Sequence, residues 1–327
     1  MMGQLPPERL TGNTPAFHNT GVDLFGPYSV AIGRRQEKRW GILFTCLATR
    51  AVYIDLVPSL STSDTIDALV RFNSRRGPAA HLWSDNGTNF KGADKEIRLC
   101  IQQWDRSHIR DKLLHHGTEW HFIPPSAPHM GGSWERLVGL TKKILGKIME
   151  TRTPKEYTLL TLLTEVENII NSRPLTVVSP DPADVEAITP NHLLKLKCGD
   201  SIPGSYEDAE RHRKSWRIAQ KLANEFWKRW ANEYLPTLAV RVKWHDKAEP
   251  LREGDLVLLL DDQMERSGWR KGEIIKTYPG KDGQVRVVDV RVPIVTAEKN
   301  NVRFVVYKRP TVKVCPLGVN ISDKTTS

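Results

Sequence analysis

Apolar residues in the first third of the chain occur in short runs bounded by polar or glycine-containing segments. Three of these runs, at residues 20–25, 40–47 and 51–57, are rich in β-branched and aromatic side chains. Runs of this length and composition are typical of β-strands. The pattern predicts three consecutive strands that form a meander.

The next segment predicts a helix. Ser61 or Ser63 can cap its first turn, and an apolar stripe runs through Ala68 and Phe72. Gly77, which is followed by proline, ends the helical pattern.

Two further strands and two further helices follow. Residues 80–84 and 120–123 are short apolar runs that predict the fourth and fifth strands. Residues 133–149 and 155–171 have apolar side chains at helical spacing and predict two helices. In the second of these helices, the spacing assigns five residues to the core: Leu159, Leu160, Leu163, Val166 and Ile170.

The order of these elements predicts the fold class. The charged segment 93–111 is compatible with a helix between the fourth and fifth strands, and the proline-rich segment 124–132 predicts a loop. Strands that alternate with helices in this order form one mixed α/β sheet flanked by helices. The ends of the first and fourth strands are then expected to be neighbours.

The second half of the chain has a different pattern. Residues 210–234 predict an amphipathic helix with a basic face, which either packs as a scaffold or contacts DNA. Its apolar stripe consists of Trp216, Ala223, Phe226 or Trp227, Trp230 and Tyr234. Short strands predict a small β-barrel, and they lie at residues 256–260, 269–277, 284–292 and 302–307.

These patterns predict a modular chain. Residues 1–17 are a lead-in arm, and 18–178 form the mixed-sheet domain. The remaining parts are a linker with the basic helix at 179–250, the barrel at 251–318 and a disordered tail at 319–327.

Charge is distributed unevenly along the 327 residues. Residues 1–210 contain 24 basic and 24 acidic side chains, whereas residues 211–314 contain 23 and 13, which accounts for the net charge of +10. A neutral front and a basic rear suggest a catalytic part followed by a part that binds a polyanion. The alternative is a soluble basic surface without a partner.

Cysteine usage and hydropathy exclude several classes of protein. Cys46, Cys100, Cys198 and Cys315 are far apart and form no CxxC pair, which argues against a zinc ribbon or a disulfide scaffold and predicts buried thiols. No apolar run approaches the ~20 residues of a membrane span, so no membrane partner is expected.

Three acidic residues in distinctive contexts carry the candidate chemistry. Asp23 and Asp85 lie at the ends of predicted strands, and Glu135 lies at the start of a predicted helix. Carboxylates that converge from such element ends can bind hard divalent cations. A pair of ions held this way can act on a phosphodiester.

Further residues are candidate contacts to DNA. Lys142, with Lys143 and Lys147, follows Glu135 on the same helix, and Asn86 follows Asp85. A solvated basic face and a tight turn are the alternatives. In the barrel, Arg270 and Lys271 beside Trp269 suggest another contact, with a core tryptophan as the alternative.

The motifs resemble those of integrases of long-terminal-repeat retroelements, most closely the BEL/Pao class of retrotransposons. The resemblance extends over nearly all of residues 5–318. In the first half the matching motifs are PPER at 6–9, TGVD at 20–23, SDNGTNF at 84–90, GGSWER at 131–136 and NSRPLT at 171–176. In the second half they are FWKRW at 226–230, EGDLV at 253–257 and YPGKDG at 278–283.

The resemblance implies a ribonuclease-H-like catalytic core followed by a small SH3-like β-barrel. It implies two Mg2+ or Mn2+ ions, with Asp23 bridging both and with Asp85 and Glu135 on one each. The implied activity is 3′-end processing of retroelement DNA and strand transfer into host target DNA. A homo-oligomer acting in the nucleus, after synthesis and particle assembly in the cytoplasm, is expected.

Two departures from the family leave alternatives open. The gap between Asp85 and Glu135 is longer than in retroviral relatives, and the family's His/Cys zinc domain has no counterpart, so we expect a fragment. One alternative function is a catalytically silent or domesticated DNA-binding protein. Another is a nuclease of the same fold, which usually has a fourth carboxylate in its site.

Overall fold

A computed structural model describes residues 14–85, 118–123, 134–177, 187–195, 214–238, 251–259, 269–295 and 302–320. The chain divides into two compact units, Met1–Asn171 with Leu193–Phe226, and Ser172–His192 with Trp227–Ser327. Several predictions concern residues outside the described ranges. These are the contact by Asn86, the buried thiols of Cys100 and Cys198, the helix at 93–111 and the loop at 124–132.

The first unit contains the predicted mixed sheet. Its strands are β1 (Asn19–Ile32), β2 (Arg35–Cys46), β3 (Val52–Val57), β4 (His81–Asp85) and β5 (Glu119–Ile123), in the order β3-β2-β1-β4-β5. β1, β2 and β3 are antiparallel neighbours, whereas β4 and β5 run parallel to β1. The predicted fold class, a mixed sheet with flanking helices, is therefore confirmed.

Helix α1 (Thr62–Arg76) packs on one face of this sheet. The Ser61 side chain accepts a hydrogen bond from the Asp64 backbone N–H, and Gly77 ends the helix at a φ of 84°. Phe72 of α1 stacks on Phe44 of β2 with ring centroids 4.2 Å apart. These aromatic rings belong to the core that holds α1 against the sheet.

Helices α2 (Trp134–Met149) and α3 (Glu156–Asn171) complete the first unit's framework. The buried Asn171 side chain accepts a hydrogen bond from the Val52 N–H at 2.8 Å and donates one to the Val52 carbonyl at 2.7 Å. Glu167 accepts a hydrogen bond from the Ile54 N–H at 2.9 Å. Because β3 is an edge strand, these α3 side chains satisfy backbone groups that no neighbouring strand pairs.

One core assignment from helical spacing is wrong, and one residue of the predicted apolar stripe at 210–234 is exposed. Leu160 of α3 is 38% exposed, while Leu159 and Leu163 are fully buried. In α5 (Ser215–Leu238), Trp216 is 44% exposed, although Phe226 is buried. Neither helix is long and apolar enough to cross a membrane, nor is any other helix in the described ranges.

The second unit contains an antiparallel sheet. Its strands are β8 (Asp255–Leu259), β9 (Arg270–Pro279), β10 (Val285–Val295), β11 (Val302–Pro310) and β12 (Val314–Asn320), in the order β11-β10-β9-β8-β12. The sheet encloses a core of mainly valine and fits an SH3-like domain. The sequence analysis did not predict the last strand, because Pro316 and Gly318 are residue types that are uncommon inside strands.

Short elements lie between the large ones in the chain. Strands β6 (Thr176–Val177) and β7 (Ala187–Ile188) pair with each other, and α4 (Pro190–Lys195) follows them. They lie partly in the segment predicted as a linker.

Candidate active site and nucleic-acid interface

The pairing of β1 with β4 places two of the predicted acids side by side along the sheet. The strands are parallel, and the register runs from Asn19 opposite His81 to Val22 opposite Ser84. One further step along both strands brings the backbone of Asp23 level with that of Asp85, the last residue of β4. Neighbouring strands lie ~4.8 Å apart, so these two positions are adjacent.

Asp23 also connects the sheet to helix α2. Lys142 donates a hydrogen bond from its Nζ to the Asp23 Oδ2 at 2.6 Å, and the two side chains are 11% and 30% exposed. A charge-assisted contact this short is among the stronger polar contacts in proteins. Lys142 is therefore directed at the predicted site and is not part of a solvated basic face.

Glu135 is the second residue of α2, seven positions before Lys142. Seven residues make two helical turns, so both positions lie on the same side of the helix and are separated by ~10 Å along its axis. The helix side that meets Asp23 thus also carries position 135. The three predicted acids lie on β1, at the end of β4 and in the first turn of α2.

The chemistry of these residues fits hard divalent cations. Asp23 is partly accessible and has a cation, the Lys142 ammonium, as its neighbour. Carboxylate oxygens are the ligands that Mg2+ and Mn2+ prefer. Asp23, Asp85 and Glu135 are the residues that would hold such ions.

The other predicted DNA contacts differ in accessibility. Lys143 and Lys147 lie on exposed positions of α2. Arg270 is half-buried and donates a hydrogen bond to the Tyr307 hydroxyl at 3.2 Å. Lys271 is only 2% exposed, so a contact with DNA would require its side chain to leave the interior of the sheet.

A surface that the sequence analysis missed lies on the outer side of β9, β10 and β11. We call it the aromatic–basic face, and it consists of Lys276, Tyr278, Arg291, Phe304, Val306 and Lys308. The Lys308 Nζ lies 3.9 Å from the centre of the Tyr278 ring, and the Lys276 Nζ lies 5.3 Å from it. Phe304 and Val306 are 42% and 51% exposed.

The alternation of residues along β11 contained the signal for this face. Phe304, Val306 and Lys308 are exposed, whereas Tyr307, between the last two, packs against the core. Period-two alternation marks the two sides of a strand. The sequence analysis recognised this strand but did not assign its outward residues a role.

The two cysteines in the described ranges match the predicted buried thiols. Cys46 and Cys315 are both buried and free. Burial raises the pKa of the Cys315 thiol to about 11, so this group stays protonated at neutral pH.

The second half of the chain matches a known sequence family. Residues 214–317 match a sequence family described as a family of unknown function (DUF5641). No curated protein sequence matches the chain.

Among solved structures, the chain is similar to several that contain retroviral integrases. One is the intasome of simian T-cell lymphotropic virus in complex with PP2A regulatory subunit B56 gamma, at 12% identity and a TM-score of 0.35, covering 96% of this chain and 83% of that one. A second is the HTLV-2 integrase catalytic core domain in complex with magnesium, at 17% identity and a TM-score of 0.31, covering 50% and 92%.

A third similar structure is the catalytic core domain of BIV integrase, at 16% identity and a TM-score of 0.33, covering 49% of this chain and 88% of that one. All three likenesses are remote. The function is therefore inferred from the topology and the acid positions of the chain alone.

Proposed function

We propose that this chain is the integrase of a BEL/Pao-class retrotransposon, which cuts the ends of element DNA and joins them to host DNA in the nucleus. The observation that supports the proposal is the β1–β4 register, in which Val22 pairs with Ser84, so that the next residue along each strand is a predicted acid, Asp23 or Asp85. The Lys142–Asp23 contact docks α2, whose second residue is Glu135, against β1. Two adjacent acids with a third on a docked helix suit phosphoryl transfer.

The three acids bind and position the reaction centre. When bound there, divalent cations supply Lewis acidity and lower the pKa of a bound water or hydroxyl. Asp23, on the central strand β1, would be one of the residues that hold these ions. Asp85, at the end of β4, and Glu135, in the first turn of α2, would supply the other carboxylates, and no protein side chain would be needed as a general base.

Lys142 holds the Asp23 carboxylate in place while no substrate is bound. Its Nζ is 2.6 Å from Oδ2, within reach of any group that Asp23 helps to bind. On substrate binding, the ammonium transfers from Asp23 to a DNA phosphate beside the scissile bond. Lys143 and Lys147, at exposed positions of the same helix, extend this contact along the phosphate backbone.

The second unit binds DNA without sequence preference. Residues 211–314, most of which belong to this unit, hold the whole excess of positive charge. The aromatic–basic face offers cations for phosphates and exposed apolar side chains for bases or sugars. An exposed aromatic edge with lysines on both sides suits a nucleic acid better than a purely apolar partner.

The test is Mn2+-dependent strand transfer with labelled DNA ends and the full chain. Asp85→Asn and Glu135→Gln remove one carboxylate charge each and should reduce the rate by at least ~100-fold, because each removes a ligand at the reacting centre. Asp67→Asn changes an exposed acid on α1 and is the matched control, expected within twofold of the unaltered chain.

Two results would refute the assignment. Undiminished strand transfer by either variant would show that these acids are not the reaction centre. DNA binding by the unaltered chain with no strand transfer in Mn2+ would favour the catalytically silent DNA-binding protein instead.

A further inference from the structure

A second polar cluster lies on the β4–β5 strand pair, at the opposite end of β4 from Asp85. These strands are parallel, with His81 opposite Glu119 and Trp83 opposite His121. Side chains at alternate positions share one side of a sheet, so all four residues belong to the same side. Leu82, between His81 and Trp83, is buried in the core with α1.

Three of these side chains bring their polar atoms close together. The His81 Nδ1 lies 3.1 Å from the His121 Nε2 and 3.4 Å from the Glu119 Oε2. The His121 Nε2 lies 3.7 Å from the same Glu119 oxygen. A simple hydrogen bond between two imidazoles uses two of these atoms, but here a third atom converges on them.

We propose that His81, Glu119 and His121 form a binding site for a transition-metal ion of the Zn2+ type. Zinc bound tetrahedrally at ~2.0–2.2 Å to histidine nitrogen and carboxylate oxygen separates its ligand atoms by roughly 3.3–3.6 Å. The three measured separations are 3.1, 3.4 and 3.7 Å. Small side-chain adjustments bring them onto one face of such a tetrahedron, and water takes the fourth corner.

Aromatic packing holds the imidazoles in this orientation. The Trp83 ring stacks on His121 with centroids 4.9 Å apart and an interplanar angle of 18°. It also lies 5.6 Å from the His81 ring. Ligands fixed before the metal arrives lose less side-chain entropy on binding, which increases the affinity.

The cluster remains open to ions from solution. The side chains of His81, Glu119 and His121 are 37%, 65% and 35% exposed. One carboxylate gives the site a negative charge, and two imidazoles select for zinc-type ions over Mg2+. Two histidine nitrogens and one carboxylate oxygen, all partly exposed, thus suit a transition-metal site that binds its ion reversibly.

This site is separate from the three acids of the proposed function. His81 precedes Asp85 by four residues on the same strand, a distance of ~13 Å. Within the described residues, the ligand group consists of His81, Glu119 and His121. An ion bound here would hold the first residues of β4 and β5 together. Asp85 is the last residue of β4.

The test is a calorimetric titration of the full chain with Zn2+, in the background Asp23→Asn/Asp85→Asn to remove binding by the acids. We expect one Zn2+ per chain and a dissociation constant weakened by about 100-fold in His121→Ala, since even outer-sphere partners change metal affinity by about 10–100-fold. Glu119→Gln, which alters the most exposed ligand, should weaken it by at least ~10-fold. Co2+ in place of Zn2+ should give the intense visible absorption of a four-coordinate site.

The matched control is His18→Ala. The His18 ring lies edge-to-face with His81, with centroids 6.1 Å apart, yet His18 is not in the ligand group. Zn2+ affinity should stay within twofold in this variant. Circular dichroism without metal establishes whether each variant folds. If His121→Ala does not fold, the Zn2+ affinity of Glu119→Gln decides the outcome.

Three results would overturn the site. These are equal Zn2+ affinity in the ligand variants and the unaltered background, loss of all Zn2+ binding in the background itself, or a Co2+ spectrum of six-coordinate, solvent-like type. Strand-transfer activity is not part of this readout, so its failure would leave the zinc site standing.

Discussion

At the scale of single residues, the Lys142–Asp23 pair couples the proposed reaction centre to its surroundings. The ammonium lies 2.6 Å from the carboxylate, and the lysine side chain is only 11% exposed. A divalent cation must compete with this ammonium for the same oxygen. Under the proposed function, the lysine would therefore weaken metal binding while it is paired with Asp23, and it would strengthen DNA binding once released.

Replacing Lys142 should separate these two effects. In Lys142→Gln, Mn2+ affinity measured by titration should increase roughly tenfold, because a nearby positive charge is removed from a partly screened site. DNA affinity should fall. Lys143→Gln makes the same charge change at an exposed neighbouring position and should leave Mn2+ affinity within twofold. Unchanged Mn2+ binding in Lys142→Gln would contradict the competition.

Single residues could be identified as candidates where a motif or a strand end marked them, and their roles stay predictions. Asp23, Asp85 and Glu135 stand out by their local contexts, and Lys142 by its two-turn spacing from Glu135. The ion pair with Asp23 was not predictable, because it depends on how α2 docks on β1. Lys271 is buried, which its basic neighbourhood in the sequence did not indicate.

At the scale of elements, α3 protects the outer edge of β3 with side chains. Glu167 accepts hydrogen bonds from the Ile54 N–H at 2.9 Å and from the Arg76 Nη2 at 2.7 Å. Burial nevertheless raises the pKa of the Glu167 carboxyl above its ordinary value of 4.5, and these two partners only partly offset the effect. Relative to the unfolded chain, folding thus shifts this carboxyl toward its protonated form.

This raised pKa predicts a pH dependence of stability. An acid whose pKa is higher in the folded state contributes stability below its unfolded pKa, and this contribution is lost as pH rises through the folded pKa. Above pH 4.5, the unfolding free energy of the unaltered chain should therefore fall relative to that of Glu167→Gln. Denaturant titrations between pH 4 and 7 measure the difference, with exposed Glu150→Gln as control. A difference in unfolding free energy that stays constant, or that changes in the opposite direction as pH rises, would contradict the raised pKa of Glu167.

The existence and type of the main elements could be predicted, because apolar periodicity records them locally. The residues at which these elements begin and end could not be predicted. β1 continues to Ile32, well past the apolar run at 20–25, because pairing with β2 carries it across a bulge near Gly26 and Pro27. Side-chain capping of an edge strand by Asn171 also lies beyond local pattern, since it joins residues 119 positions apart.

At the scale of the whole molecule, the unequal charge distribution should govern DNA binding. Each lysine that contacts a phosphate releases a counterion, and this makes the affinity salt-dependent. Lys276 and Lys308 lie on the aromatic–basic face, both against Tyr278. They are the residues through which this prediction is best tested.

Removing both charges should reduce the salt dependence. For Lys276→Gln/Lys308→Gln in the full chain, the slope of log K against log salt concentration should become shallower by about 1.8, which corresponds to two phosphate contacts on duplex DNA. The control is Lys38→Gln, at an exposed position of β2, and its slope should not change. An unchanged slope in the double variant would assign DNA binding to another surface or show that this face has another partner.

The most direct measurement for the central claim, that Asp23, Asp85 and Glu135 form one metal-dependent centre, is anomalous diffraction from crystals of the full chain grown with Mn2+. Anomalous density should lie within ~2.2 Å of carboxylate oxygens of Asp23 and Asp85, with the Lys142 ammonium displaced from its 2.6 Å contact. Density confined to other sites, with Lys142 still paired to Asp23, would contradict the claim.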